Sequence, residues 1–234
     1  MFISNERLYD VTLSYRDGST EIVKVAYEHV PLVREHYKDI IDEDTVYVCT
    51  GFENEDKPIT ENVTLQAKYE TMPLASYNAL QMDEFTHALS AIPGQEANLT
   101  KIVVSKVFKG TTVWYIADYA FQNCRNLREA YIADGFTELS QGTFEGCENL
   151  KTVRIPTTLT GYQYNAFAGC DNLNYSEYDN GLYLGNEDNA HLIFQKAKSV
   201  AITSISFHED TKFIAQAAFK GCNLLSSLSI PEGL

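Results

Sequence analysis

Apolar positions in the last three fifths of the chain return in one phrase. Ala120-Phe121-x-x-Cys124-x-x-Leu127 recurs as Thr143-Phe144-x-x-Cys147-x-x-Leu150, Ala166-Phe167-x-x-Cys170-x-x-Leu173 and Ala218-Phe219-x-x-Cys222-x-x-Leu225. A second pattern begins on the closing Leu: Leu99-x-x-Ile102-x-Val104, Leu127-x-x-Ala130-x-Ile132, Leu150-x-x-Val153-x-Ile155, Ile202-x-x-Ile205-x-Phe207 and Leu225-x-x-Leu228-x-Ile230. With a degenerate copy at Leu173, successive steps are 28, 23, 23, 29 and 23 residues. Periods of this length predict a solenoid, because one such coil buries its apolar side only against its neighbours.

Inside a coil, Ala130-Tyr131-Ile132 and Val153-Arg154-Ile155 alternate with period two. That alternation predicts a short strand per coil and a parallel sheet of stacked strands. The Ala-Phe-x-x-Cys segment is expected on the opposite wall as a single helical or 3₁₀ turn, with Phe and Cys inward. Outward strand positions are then Lys101 and Val103, Glu129 and Tyr131, Thr152 and Arg154, and Tyr175 and Glu177, followed by serines in the last coils. The stretch Tyr178 to Phe194 interrupts the repeat. Two apolar runs around Gly, Asn and Asp predict a hairpin budding from the fourth coil.

The first seventy residues lack the repeat. Tyr9, Val11, Leu13 and Tyr15 alternate with polar neighbours, as do Val23, Val25 and Tyr27, and Val63, Leu65, Ala67 and Tyr69. Three strands are predicted, the first two joined by a turn at Arg16-Asp17-Gly18-Ser19, and Thr45 to Thr50 adds a fourth. From about Tyr77, Met82, Phe85, Leu89 and Ile92 recur at three- and four-residue steps up to Pro93-Gly94. This predicts a linking amphipathic helix that covers the first coil. The expected organisation is a module over residues 1–70, a linker and capping helix over 71–98, and a solenoid over 99–234.

The segments IADYAFQNCRNLREAYI and AFKGCNLLSSLSIP resemble the BspA-type leucine-rich repeat of bacterial and protozoan surface proteins, and KIVVSKVFKGTTVWYIADYAF looks like that family's opening coil. The resemblance implies a mostly β, α+β chain with a right-handed solenoid, exported or held at a cell surface. It also implies attachment to a protein or glycan partner on a host or neighbouring cell. The order of strands, Gly51-Phe52 and the closing PITENVTLQAKYE resemble the internalin-type B-repeat, a small β-grasp-like module of Gram-positive surface proteins that commonly acts as a spacer.

Charge narrows the partners. The 234 residues hold 18 Lys and Arg against 32 Asp and Glu, a net charge of -14, which repels phosphate backbones and makes nucleic acid a poor partner. No apolar run reaches the roughly 18 residues of a membrane span, and MFISNERLYD lacks the pattern of an export signal. The chain stops at Ile230-Pro-Glu-Gly-Leu234, directly after a strand, so the sixth coil is expected to be incomplete and the chain a piece of a longer protein.

Candidate chemistry is sparse. Four of the five cysteines occupy one place in four coils, which reads as buried packing thiols rather than a zinc site with C-x₂₋₄-C spacing. The five histidines form no H-E-x-x-H, and no nucleophile elbow, phosphate loop or dinucleotide fingerprint occurs. No catalytic residue, metal or cofactor is expected, and the chain reads as a non-enzyme. Glu129, Tyr131, Arg154, Tyr175 and Glu177 are the expected partner-binding residues, since Tyr and Arg combine large contact area with directional polar bonds. A structural stalk, or the non-catalytic part of a larger surface enzyme, is the alternative.

Overall fold

The computed structural model describes residues 7–232 and Leu234. Its alternating N-terminal segments form β1 (Leu8–Ser14), β2 (Thr20–Ala26), β3 (Ile40–Asp42), β4 (Thr45–Phe52) and β5 (Val63–Pro73). They make one sheet in the order β2-β1-β5-β4-β3, with β1 and β5 parallel and the other pairs antiparallel. Gly18 supplies the left-handed backbone, φ 81°, that the turn between β1 and β2 requires. One sheet face buries Val11, Leu13, Tyr15, Cys49 and Leu65 under Val33, Tyr37 and Ile59 from the connections. A bulge between Cys49 and Gly51 places Phe52 on that same face.

The other face points at the solenoid. Val46 and Val48, with Met72 opposite Val46, lie in one core with Ile102, Val103 and Val104. Burial of an aliphatic side chain contributes about 1.5–3 kcal/mol, so the sheet is packed onto the first coil rather than tethered to it.

The linker differs from its pattern. An α-helix is present there only as α1 (Leu74–Asn78), five residues long, and the expected amphipathic helix from Tyr77 to Ile92 is instead a hairpin, β6 (Leu80–Met82) and β7 (Ala88–Ala91). Two causes favour the hairpin. The Asp83 carboxylate accepts the N–H groups of Phe85 (3.1 Å) and Thr86 (2.7 Å), a local turn that competes with helix. In addition, β7 gains a parallel partner from a distant segment. Phe85, expected inward, is 90% exposed.

Next come β8 (Lys101–Val104), the small hairpin of β9 (Val107–Phe108) and β10 (Thr111–Thr112), and β11 (Tyr115–Ile116), the parallel partner of β7. The following coils contribute β12 (Glu129–Ile132), β13 (Glu138–Leu139), β14 (Thr152–Arg154) and β15 (Gly161–Tyr162). The predicted parallel wall is the sheet β14-β12-β8, and β13 pairs with β15 in parallel on another side of the coil. Inside, Phe121, Phe144 and Phe167 stack with centroids 5.4 Å apart at each step.

The Ala-Phe-x-x-Cys wall is built from single turns, with Cys124 N–H donating to Phe121 O (3.3 Å) and Cys147 N–H to Phe144 O (3.1 Å), and these turns are also bonded between coils. Phe121 N–H donates to Thr143 O (2.9 Å) and Asn123 N–H to Glu145 O (2.8 Å). Phe144 N–H and Gly146 N–H repeat this toward Ala166 O and Ala168 O, both at 2.8 Å. Left-handed residues flank each Phe: Tyr119 and Asn123, Gly142 and Gly146, Asn165 and Gly169, Ala217 and Gly221. At Gly169 the preceding coil passes so close that an added Cβ would lie 3.4 Å from the Gly146 backbone.

The interrupted region forms β16 (Ser176–Tyr178), β17 (Gly181–Leu184) and β18 (Ile193–Ala197), and the repeat resumes with β19 (Ser204–Ser206), β20 (Phe213–Ile214) and β21 (Ser227–Ser229). The predicted hairpin exists, doubled into an antiparallel meander of β16, β17 and β18, and β18 then pairs in parallel with β20. It does not bud outward. Tyr183 and Phe194 are fully buried with Ile205 and Phe207 in the core of the last coils. β19 and β21 restore the parallel register of the strand wall.

Candidate functional site

The wall β14-β12-β8 sets side chains in columns. Register aligns Lys101, Glu129 and Thr152 in one column, and Val103, Tyr131 and Arg154 in the next. Lys101 Nζ lies 3.6 Å from Glu129 Oε2. The Arg154 guanidinium sits over the Tyr131 ring, 4.6 Å from its centroid, and its Nη2 lies 3.0 Å from Glu187 Oε1 and 3.7 Å from Asp134 Oδ2. Glu187 belongs to the β17 to β18 connection, so the interruption of the repeat reaches back to the third strand of the wall.

Two expectations for this face change. Val103, placed outward by alternation, is 3% exposed because β4 and β5 cover it. Tyr175 precedes β16 and is half-buried against the solenoid core, with Lys196 Nζ 5.1 Å above its ring. Burial pushes its hydroxyl pKa up to about 12. The cause is topological: β16 turns back antiparallel to β17, so the wall ends at β14. Glu177 remains exposed and pairs with Lys198 at 2.9 Å. The structure therefore brings Tyr131 and Arg154 into contact, sets Glu129 beside them, and separates Tyr175 and Glu177.

Between this wall and the N-terminal sheet lies a polar cleft of about 670 Å³. Arg34, Glu55 and Lys68 line it from the N-terminal side, and Tyr131, Asp134 and Arg154 from the solenoid. Tyr131 is half-buried there, and its hydroxyl pKa is raised by burial. Sequence periodicity held no signal for the N-terminal lining, because those residues sit on loops and strands that only docking brings over the wall.

The groups with altered acidity point away from nucleophilic chemistry. Burial pushes the Cys49 thiol up to about 11, and the Cys124 thiol is raised by its hydrogen bond with Cys147 and by burial. Thiols held protonated in this way are poor nucleophiles at neutral pH. Lys106, nearly buried, donates to Trp114 O at 3.1 Å and lies 4.2 Å from the Phe136 centroid. Burial, with the nearby Arg34 charge, lowers its pKa to about 8. Among the described residues, no group of three or more His, Cys, Asp or Glu side chains is placed to hold a metal ion, and no helix is long and apolar enough to cross a membrane.

A family model described as "BspA type Leucine rich repeat region" matches in six copies over residues 95–187 and 192–234. No curated protein matches the chain. Among solved structures, a leucine-rich repeat protein of T. pallidum is 17% identical, with a TM-score of 0.41 over 65% of this chain and 79% of that one. A leucine-rich repeat protein of Bacteroides ovatus is 18% identical, with a TM-score of 0.30 over 65% of this chain and 39% of the other. A leucine rich cell surface protein of Faecalibacterium prausnitzii is 14% identical, with a TM-score of 0.22 over 83% of this chain and 76% of the other.

Proposed function

Because this chain belongs to the BspA-type leucine-rich repeat family, we propose that it is a non-enzymatic, surface-exposed binding protein whose partner docks across the β14-β12-β8 wall and its cleft. The observation that carries this reading is the Tyr131 and Arg154 pair. An aromatic ring and a guanidinium in contact, held at the mouth of a polar cleft and flanked by Glu129 and Glu187, form the kind of cluster that dominates binding energy at protein interfaces. Glu177, exposed on β16, extends the surface toward the meander. The mechanism is complementarity of shape and charge, with no bond made or broken.

The N-terminal sheet is read as a B-repeat-like module that sets the solenoid away from its attachment. The hairpin of β1 and β2 and the parallel pairing of β1 with the closing strand β5 support that reading. A protein or glycan of a host or neighbouring cell is the partner class, and the net charge of -14 disfavours nucleic acid.

The test is an unbiased capture of the purified chain on arrays of extracellular proteins and glycans, followed by titration of each saturable partner. Tyr131→Ala and Arg154→Ala should each weaken that partner about tenfold or more. Equal losses from exposed positions on the Phe and Cys wall would move the site. A second reading, a rigid stalk, is favoured by the internal pairing of Arg154 with Tyr131, Glu187 and Asp134. It is the outcome if no array member binds saturably.

A further inference from the structure

A second site lies away from the strand wall. The three-stranded sheet β11-β7-β6 buries Leu80, Leu89 and Ile116 on one face, while its other face carries the small side chains Ala88, Ser90 and Ala117. Those small residues floor a hollow of about 690 Å³. Phe85 and Tyr115 rise beside it, and Asp83, Glu84 and Asp118 stand around it. Among the described residues that line it, none is Lys or Arg.

The backbone that carries the aromatic side is held in place before any ligand arrives. Phe85 projects from a turn closed by the Asp83 carboxylate, and His87 N–H donates to Asp83 O at 2.9 Å. Next to Tyr115, the Trp114 indole stacks on His87 at 4.4 Å and 10°, and His87 Nδ1 lies 2.8 Å from Thr112 O. Yet Phe85 is 90% exposed and Trp114 59% exposed. Phe85 and Tyr115 leave aromatic faces in water beside carboxylates, and these match one chemistry well: a cation that takes cation–π contact and a charge-assisted hydrogen bond together.

We propose that this hollow is a docking site for a basic peptide segment, whose Lys or Arg side chains enter between Phe85 and Tyr115 and pair with Glu84 and Asp118. Charge complementarity selects this occupant. Three carboxylates without a lining cation repel phosphate, sulfate and acidic sugars, and a neutral glycan would leave their charge unanswered. The site is separate from the β14-β12-β8 wall, so either one stands if the other fails.

Trp114 is the only tryptophan of the chain, and its fluorescence reports the neighbourhood of Tyr115. Titration with a blocked peptide of alternating Arg and Ser should change that emission saturably, whereas a Glu and Ser peptide of the same length should not. Phe85→Ser, and the double change Glu84→Gln with Asp118→Asn, should each weaken the basic peptide about three- to tenfold. The charge-matched pair Glu61→Gln with Glu209→Gln, exposed positions elsewhere, should change it less than about twofold. Phe85 makes so little contact that its variant should keep the parent melting temperature, and the double variant provides an independent second arm. Equal weakening by the Glu61 and Glu209 pair would mean attraction by net charge alone and would overturn the proposal. So would an unchanged emission, or a saturable response to a neutral oligosaccharide that Phe85→Ser abolishes.

Discussion

The thiol of Cys147 donates to the main-chain carbonyl of Phe121 on the preceding coil, at 3.0 Å. Cys170 does the same toward Phe144 O, also at 3.0 Å. A small, weakly polar side chain thus fills the interior beside the Phe stack and still satisfies a carbonyl, which explains why the repeat carries Cys at this place rather than Ala or Ser.

Replacement of that thiol is therefore unfavourable. Cys147→Ala should destabilise the chain by about 1–3 kcal/mol, since it removes the donor to Phe121 O together with the packing of the buried sulfur. Urea denaturation of the variant against the parent measures it, and an unchanged midpoint would contradict the ladder.

The thiols also differ in access. Cys49, Cys124, Cys147 and Cys170 are buried, while Cys222 is partly exposed and its Sγ lies 3.9 Å from Ser199 O. Pulsed alkylation read by mass spectrometry should label Cys222 first and the other four only after unfolding. Early labelling of Cys147 would show that the coils open locally.

A second ladder runs along the outside. Asn149 Nδ2 donates to Arg125 O at 2.8 Å, Asn126 to Ala97 O at 2.8 Å and Asn172 to Glu148 O at 2.7 Å. The fourth copy of the phrase has Leu224 at this place, and it is 62% exposed. Asn149→Ala should cost about 0.5–1.5 kcal/mol by loss of one bond between coils. Leu224→Ala, where no such bond exists, should stay within about 0.5 kcal/mol of the parent. Melting of both variants side by side distinguishes the ladder from general sensitivity of the turns.

Lys106 gives stability a pH dependence of defined sign. Its folded pKa is about 8, below the ordinary 10.5 that the unfolded chain would show. Between these values the unfolded state binds more protons, so this group's contribution to stability rises with pH from about 8 toward 10.5 and is least favourable below 8. Lys106→Met should therefore gain stability relative to the parent at pH 7, and that advantage should shrink as pH rises through the window. Denaturation at a series of pH values measures the difference, and a gap that stays constant would show that burial does not disfavour the charged form.

Arg154 and Tyr131 allow a double-mutant cycle in the free chain. Their cation–π contact should appear as a coupling of about 0.5–1 kcal/mol between Arg154→Ala and Tyr131→Ala. Additive effects would mean that the two are available to a partner independently.

Sequence by itself determined the parts that repeat or alternate. The solenoid, its parallel strand wall, the inward Phe and Cys, and β1, β2, β4 and β5 were legible because period two and a step near 23 residues are imposed by local geometry and stacking, and each copy reinforces the next. Tertiary structure decided the rest. Met82, Phe85, Leu89 and Ile92 carry helical spacing, yet the segment is a hairpin because β11 offers β7 a partner that no local pattern announces. Val103 is buried by β4 and β5, and Tyr175 is drawn toward the core by the turn of β16 onto β17. The cleft beside Tyr131 and the hollow beside Phe85 exist only where distant segments meet. Periodicity records which face of an element is apolar, but what covers that face depends on contacts between residues far apart in the chain, and those carry no period.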